Sequence, residues 1–181
     1  MKAKLLMFSL VLAMFAVSAF GQDEEFFKGV ELYREGKFQE SSDVLQRVVK
    51  AQPKNIVAWR YLGASLENLG RHDEALAAFK KKGGGKTPRL EYDKKLEITG
   101  TVKAPYDDDQ ASRRRLQGDV VLLVEFKADG TIGFIAVLRD LSPGLTKSSI
   151  AAARGITFRP AVVNGKPVPE IRPVSYPFRF K

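Results

Sequence analysis

Two apolar runs joined by a tight turn constrain the fold of this chain more than any other feature. The runs cover residues 120–126 and 132–138, and Asp129-Gly130 lies between them. Such a dipeptide between two apolar runs predicts a β-hairpin, because glycine tolerates the positive φ that the turn demands. Side chains alternate between the faces of a strand, and both faces of the first run are apolar. The hairpin therefore needs cover, and the Ala-rich segment 145–154 is predicted to be a helix that covers one side.

The residue types exclude most familiar catalytic centres. The 181 residues include no cysteine, which rules out disulfides and thiolate metal sites, and His72 is the single histidine. Neither a histidine-based triad nor a multi-histidine metal site can form within the chain. No nucleophile has a base placed beside it by a recognisable motif. We therefore expect a protein that is not an enzyme, with no catalytic residue, no cofactor and no metal.

Two short motifs imitate ligand-binding loops but miss a required residue. Gly85-Lys86-Thr87 ends like a phosphate-binding P-loop, yet Lys80 stands where that pattern requires its first glycine. Asp107–Asp109 would supply oxygens to calcium, but the loop pattern needs a glycine at its sixth position, and none comes before Gly118. The aspartates instead predict a helix start, with Arg113–Arg115 near the negative end of that helix.

Residues 1–21 have the composition of an export signal. Lys2 and Lys4 precede sixteen uncharged, mostly apolar residues, and Ala19-Phe20-Gly21 places small residues where a signal peptidase reads them. We predict cleavage before Gln22 and export to a bacterial periplasm or outer envelope. The alternative is membrane association through an uncleaved leader. Sixteen helical residues reach about 24 Å, which is short of the ~30 Å hydrocarbon core.

Glycines recur with a period of 34 residues in the segment 22–82. Gly29 and Gly63 are 34 positions apart, and so are Gly36 and Gly70. That period is typical of a tetratricopeptide array, and the stretch AWRYLGASLENLGRHDEALAAFK resembles the consensus of that repeat. The resemblance implies two helical hairpins. Pro53 is expected to end one helix and Asn55 to cap the next.

Repeats of this family present a concave face that binds peptides. By the geometry of the repeat, that face includes Phe26, Val30, Tyr33 and Arg34 from the first copy, and Arg60, Ala64, Glu67 and Asn68 from the second. Two repeats are fewer than the three usually needed for an independent array. The helices are thus expected either to bind a peptide in this groove or to pack against the second domain or a partner.

The last part of the chain has its own family resemblance. Residues 80–82 are lysines and 83–85 are glycines, which predicts the end of the helices and a linker over 83–99. Residues 100–181 resemble the C-terminal domain of the TonB family of energy transducers. The resemblance rests on Tyr106, a basic helix ending at Gly118, the hairpin VVLLVEFKADGTI, the stretch AAARGITFRPAVVNGKPV and the closing PVSYPFRFK. It implies a small antiparallel sheet with two helices, and thus an α+β chain with an all-α first part.

The TonB resemblance also implies a binding mode. In that family the final strand lies at a sheet edge and pairs with an extended peptide of an outer-membrane receptor, which is strand addition. Here the candidate edge is 171–180, where Pro173 and Pro177 suit an edge because they cannot donate to a ladder. The prolines could equally serve to protect the edge from aggregation. The predicted site residues share one face of this strand and are Arg172, Val174, Tyr176, Phe178 and Phe180, with Ile171, Ser175 and Arg179 on the other face.

Three functions are compatible with these features. The favoured one is a non-enzymatic interaction module that binds extended segments of envelope proteins, outer-membrane receptors among them. The alternative is a TonB-like energy transducer for outer-membrane transport. The third is a polyanion-binding envelope protein, because residues 86–181 carry seventeen basic and eleven acidic side chains. Basic and aromatic residues are rarely interleaved, so we expect no nucleic-acid partner. The oligomeric state stays open.

Overall fold

The computed structural model describes residues 23–81, 83, 89–106 and 108–179. The chain divides into two compact units, with the boundary between Leu90 and Glu91. The described part of the first unit is helical, and the second contains antiparallel sheets and two helices, so the predicted α+β fold class is confirmed. The predicted signal peptide, the Gly85-Lys86-Thr87 motif and Phe180 lie outside the described residues. Among the described helices, none is long and apolar enough to span a membrane.

Four helices form the described part of the first unit. Helix α1 covers residues 23–34, α2 Phe38–Ala51, α3 Ile56–Asn68 and α4 His72–Phe79. The helices form two hairpins whose turns are 34 residues apart, since α1 and α3 end at residues 34 and 68, and α2 and α4 begin at residues 38 and 72. Gly36 and Gly70 have φ values of 77° and 75° in the two turns, which L side chains rarely adopt. The predicted helical hairpins are confirmed, and their identity as tetratricopeptide repeats stays a prediction.

The same close contact holds each hairpin together. A Cβ atom on Gly29 would lie 2.7 Å from Leu45 Cδ2, and one on Gly63 would lie 2.4 Å from Phe79 Cε1. These pairs are again 34 residues apart. The paired helices can approach this closely only because the glycines have no side chain. The glycine period of the sequence therefore reflects a repeated helix-packing contact.

The turn between the hairpins is fixed by a side-chain cap. Helix α2 ends at Ala51, just before Pro53, and α3 begins after Asn55. Asn55 is buried, and its Oδ1 accepts a hydrogen bond of 3.0 Å from the Ala58 N–H. The predicted cap is confirmed, and it satisfies one of the backbone donors left unpaired at a helix start.

The described residues of the second unit form seven strands and two helices. In chain order these are β1 Glu97–Gly100, α5 Asp109–Arg113, β2 Gly118–Phe126, β3 Ile132–Arg139, α6 Pro143–Arg154, β4 Thr157–Arg159, β5 Ala161–Val163, β6 Lys166–Val168 and β7 Glu170–Phe178. The main sheet has the order β3-β2-β7, and β1-β4 and β5-β6 form two-stranded sheets. All pairs are antiparallel. The first three residues of β1, 97–99, thus lie in the segment that the sequence assigns to the linker.

The predicted hairpin forms the centre of the second unit. Strands β2 and β3 flank a turn in which Gly130 has a φ of 84°. One face of β2 is completely buried in the core and consists of Val120, Leu122, Val124 and Phe126. Helix α6 contacts both strands, and its residues Leu145, Ala152 and Ala153 belong to the same core. The helix predicted from Leu145 onward is confirmed, and it begins two residues earlier, at Pro143.

One carboxylate connects the starts of the two helices. Asp108 caps α5, since its Oδ1 accepts a hydrogen bond of 2.8 Å from the Ala111 N–H. Its Oδ2 accepts hydrogen bonds from Ser142 Oγ at 2.5 Å and from the Gly144 N–H at 3.1 Å, at the start of α6. The predicted helix start at the aspartates is therefore confirmed. These bonds, from Ser142 first and then Ala111, lower the pKa of Asp108.

Candidate functional site

Strand β7 is an edge strand with an unusually regular ladder. It pairs with β2 over nine consecutive residues, from Gly118–Phe178 to Phe126–Glu170, without a shift in register. Its other side has no strand partner among the described residues, and no backbone hydrogen bond in that part of the chain joins it to another segment. A row of main-chain groups is therefore available along the outer side of β7.

The two prolines determine which backbone groups point outward. In an antiparallel ladder, alternate residues direct both N–H and C=O toward the neighbouring strand. Because proline has no N–H, an unbroken ladder requires that Pro173 and Pro177 face away from β2. Ile171 and Ser175 are each two residues away from one of these prolines, so their N–H groups also point outward. The N–H of Val174 points inward, toward its partner Leu122 on β2.

An apolar groove runs beside this edge. Its volume is about 350 Å³, and it is bounded by β7, by Ile98 of β1 and the segment that follows that strand, and by Ile156 between α6 and β4. The residues that line it are Ile98, Thr101, Val102, Lys103, Ala104, Ile156, Val174, Ser175, Tyr176 and Pro177. Ile98 and Val102 are large apolar side chains with 39% and 46% of their surfaces exposed. The groove thus places accessible apolar surface next to unpaired main chain.

Two arginines near the ends of β7 are already engaged. Arg172 Nε lies 2.5 Å from Glu170 Oε1, and its Nη1 donates to the Leu96 carbonyl at 3.4 Å. Arg179 donates to the Gly118 carbonyl at 3.0 Å and to Asp119 Oδ1 at 3.2 Å. These contacts hold the ends of the strand and the start of the groove wall in place.

The predicted side chains of the edge strand have different environments. Tyr176 and Phe178 are buried in the core, where the Phe178 ring packs edge-on against Tyr106 with centroids 5.8 Å apart. Arg172 and Val174 are half-buried, and Phe180 lies outside the described residues. Among these side chains, Val174 and Tyr176 line the groove. The open part of the site is therefore the backbone of β7, together with the apolar wall.

Tyr176 carries a polar atom without a partner. Its side chain faces the covered side of the sheet, on the same side as its pair Val120. The hydroxyl is buried and makes no hydrogen bond within the described residues. Burial raises the pKa of Tyr176.

The predicted groove of the helical repeats is mostly interior. Phe26, Val30, Tyr33 and Ala64 are at most 1% exposed and belong to the packing between the helices. Arg34 contacts Glu31 at 3.5 Å and is largely buried. The polar members on α3 are more accessible: Arg60 is half-buried, Glu67 lies 3.0 Å from His72 Nδ1, and the exposed Asn68 donates to the Ala64 carbonyl at 2.9 Å.

Sequence reasoning missed the outer wall of the β7 groove. Residues 101–104 form neither helix nor strand, so no periodic pattern marks them. The only available signals were the β-branched residues Ile98 and Val102 between polar neighbours. No group of three or more histidines, aspartates or glutamates suited to a metal ion occurs within the described ranges.

Comparisons with known proteins point to one family. The family model described as the Gram-negative bacterial TonB protein C-terminal matches residues 109–181, which contain α5, α6 and β2–β7. The solution NMR structure of the Pseudomonas aeruginosa TonB C-terminal domain is 24% identical, with 49% of this chain and 90% of that chain covered and a TM-score of 0.41. The NMR structure of the Helicobacter pylori TonB C-terminal domain is 21% identical, with coverages of 43% and 72% and a TM-score of 0.31. No curated protein shows significant similarity to the chain.

Proposed function

We propose that this chain is a non-enzymatic binding protein of the bacterial cell envelope. Its second unit captures an extended segment of another envelope protein, which adds as a strand to the outer edge of β7. The observation that carries this proposal is the unpaired and regular edge of β7 beside an apolar groove. In strand addition, main-chain hydrogen bonds supply affinity and pockets for alternate side chains supply specificity.

The regularity of β7 favours it over the opposite edge of the same sheet. Strand β3 is also an edge, but its register with β2 shifts between Val121 and Leu122 and again between Val124 and Phe126. Such irregularities bend and twist a strand, and proteins use them to prevent pairing at an edge. Strand β7 has no shift, so it is the more regular template for a guest strand.

The family match supports a location and a class of partner. Residues 109–181 match a domain of Gram-negative TonB proteins, and the leader predicts export. Both observations support a location in the periplasm or outer envelope, and the partners that we propose are envelope proteins, including outer-membrane receptors. The same match favours a second candidate, a TonB-like energy transducer that engages a receptor through this edge. Both functions use the outer side of β7.

A proline at position 175 tests strand addition directly. Ser175→Pro removes an N–H that points outward. The new proline has the same orientation in the ladder as Pro173 and Pro177, which the strand already contains. The change therefore blocks a guest hydrogen bond and leaves the ladder to β2 intact. Ser175→Ala is the matched control, because it removes the hydroxyl and keeps the N–H. Val174→Pro is the contrasting variant, because it removes an inward N–H and should destabilise the sheet itself.

The assay uses the full chain and a random library of twelve-residue peptides displayed on phage. We expect enriched peptides to bind the wild type and the Ser175→Ala variant equally in fluorescence anisotropy. Binding to Ser175→Pro should fall at least tenfold, with an unchanged circular dichroism spectrum and unfolding midpoint. The proposal is overturned if no peptide is enriched, or if every enriched peptide binds Ser175→Pro as tightly as the wild type.

A further inference from the structure

Residues 101–104 are a second stretch of unpaired main chain beside β7. They form neither helix nor strand, and they line the groove together with residues 174–177 of β7. In the part of the chain that the structure describes, their N–H and C=O groups make no hydrogen bond with another backbone group. Because these residues are mostly exposed, water satisfies the groups in the free protein. The groove therefore has available main chain from two segments.

The segment that contains these residues is held against β7 at both ends of the groove. The Leu96 carbonyl accepts a hydrogen bond of 3.4 Å from Arg172, near the start of β7. At the other end, the ring of Tyr106 packs edge-on against the ring of Phe178, with centroids 5.8 Å apart. Between these two contacts the segment follows β7 in the same direction along the chain.

The segment is too long to lie straight along the strand. The chain advances ten residues from Leu96 to Tyr106 and only six from Arg172 to Phe178. At about 3.3 Å per residue, these are about 33 Å and about 20 Å of extended chain. The excess of about 13 Å cannot be accommodated in a straight line beside β7. We attribute the groove of about 350 Å³ between the two segments to this excess.

Strand β7 alone can bond to only part of the main chain of a guest. Alternate residues of a strand face one neighbour, and the residues between them face the other side. Pro173 and Pro177 lack an N–H, and within residues 174–177 only Ser175 directs an N–H outward. Residues 101–104 contain no proline, so each of them has an N–H. That segment can therefore donate to the guest carbonyls that face away from β7.

We infer that an extended guest enters between β7 and residues 101–104 and forms main-chain hydrogen bonds with both. This inference rests on the proposed strand addition and deepens it, because the guest becomes an inner strand instead of a new edge strand. Alternate guest residues bond to β7, and the residues between them bond to the segment. The exposed side chains of Ile98 and Val102 favour apolar guest residues. The partner that fits is an extended, apolar segment without proline.

Methylation of single backbone nitrogens in a bound peptide tests the inference directly. The probe is a twelve-residue peptide from the phage selection, synthesised with one N-methyl group at each position in turn and titrated with the full wild-type chain. If β7 alone binds the guest, only every second position should be sensitive, because the other N–H groups face water. If both segments bind it, methylation at adjacent central positions should weaken binding about tenfold each, because every methyl group replaces a bonded hydrogen. The unmodified peptide is the control.

Two pairs of variants test the segment itself. Val102→Pro and Lys103→Pro each remove an N–H that bonds to no backbone group within the described ranges, so the urea midpoint should change little. Val102→Ala and Lys103→Ala are the matched controls, because they shorten the same side chains and keep the N–H. Neighbouring residues of an extended segment direct their N–H groups to opposite sides. One proline variant should therefore bind the peptide about tenfold more weakly than its alanine control, and the other about equally.

Two results would overturn the inference. One is a strict pattern in which every second N-methyl position is tolerated, and the other is binding by both proline variants as tight as by their alanine controls. Should a proline variant unfold at a clearly lower urea concentration, the N-methyl series decides alone, since it leaves the protein unchanged. If Ser175→Pro abolishes binding and the N-methyl pattern alternates strictly, strand addition stands and only the role of residues 101–104 is wrong. If Ser175→Pro has no effect, both proposals are wrong.

Discussion

Replacing Gly63 with alanine tests the close packing of the helical hairpins. The new Cβ would lie 2.4 Å from Cε1 and 2.6 Å from Cδ1 of Phe79. The Phe79 ring is only 5% exposed, so it cannot move into solvent without leaving the core. Alanine is favoured over glycine inside a helix by about 1 kcal/mol. Overpacking a core typically costs about 1–3 kcal/mol and occasionally more. Because the new Cβ would lie well inside contact distance of the ring, we expect the packing cost to exceed the helix gain, with a net loss of up to about 2 kcal/mol.

The single tryptophan makes this loss measurable in the first unit alone. Trp59 lies on α3, four residues before Gly63, and no other residue of its type occurs in the chain. Equilibrium urea unfolding followed by tryptophan fluorescence therefore reports the helical hairpins. The midpoint should fall for Gly63→Ala, and the slope of the transition should stay the same.

Two further variants show whether the loss is steric. In the first hairpin, Leu45 occupies the place that Phe79 has in the second. The double variant Gly63→Ala/Phe79→Leu should therefore lose less than the sum of the two single variants. In Gly70→Ala the new Cβ would have no atom within 4 Å. This substitution should destabilise the protein only because alanine rarely adopts the φ of 75° found at this position. Phe79→Leu should not rescue it. A Gly63→Ala chain more stable than the wild type would refute the packing argument.

Two predictions concern the second unit. Asp108 has a lowered pKa in the folded state, so it contributes stability above the unfolded pKa of about 3.9 and loses that contribution as the pH falls through its folded pKa. Asp108→Asn should thus be less stable than wild type at pH 7, and the gap should close below about pH 4 in urea unfolding at a series of pH values. Asn164 has a φ of 50° before Gly165 in the turn between β5 and β6, so Asn164→Ala should lose about 1 kcal/mol and Asn164→Gly much less. Equal midpoints for the alanine and glycine variants would contradict this.

Much of the local structure follows from the sequence because short-range rules dictate it. Asp129-Gly130 between two apolar runs could form little other than the hairpin of β2 and β3. The 34-residue glycine period could be interpreted as close helix packing, and the contacts of Gly29 and Gly63 confirm that packing. The caps at Asn55 and Asp108 were also predictable, since their side chains bond to backbone groups three residues away.

The candidate site depends on contacts between segments that are far apart in the chain. Whether β7 is an edge strand depends on which other strands pair with it. Its own sequence determines only that Pro173 and Pro177 have no N–H group. The groove exists because Ile98 and residues 101–104 lie beside residues 174–177 of β7, at least 70 positions later in the sequence. The hydrogen bond that Ser142 donates to Asp108 at the start of α6 likewise joins two segments that are 34 residues apart.

The sequence by itself thus determined the helices, the hairpin, the caps and the resemblance to a TonB C-terminal domain, because each depends on neighbours within a few residues or on an ordered motif. Only the tertiary structure decided that Tyr176 and Phe178 face the core while the backbone of β7 stays open. Burial and unpaired hydrogen-bonding groups are properties of the packed whole, since they depend on every segment that comes near and not on the local order of residues.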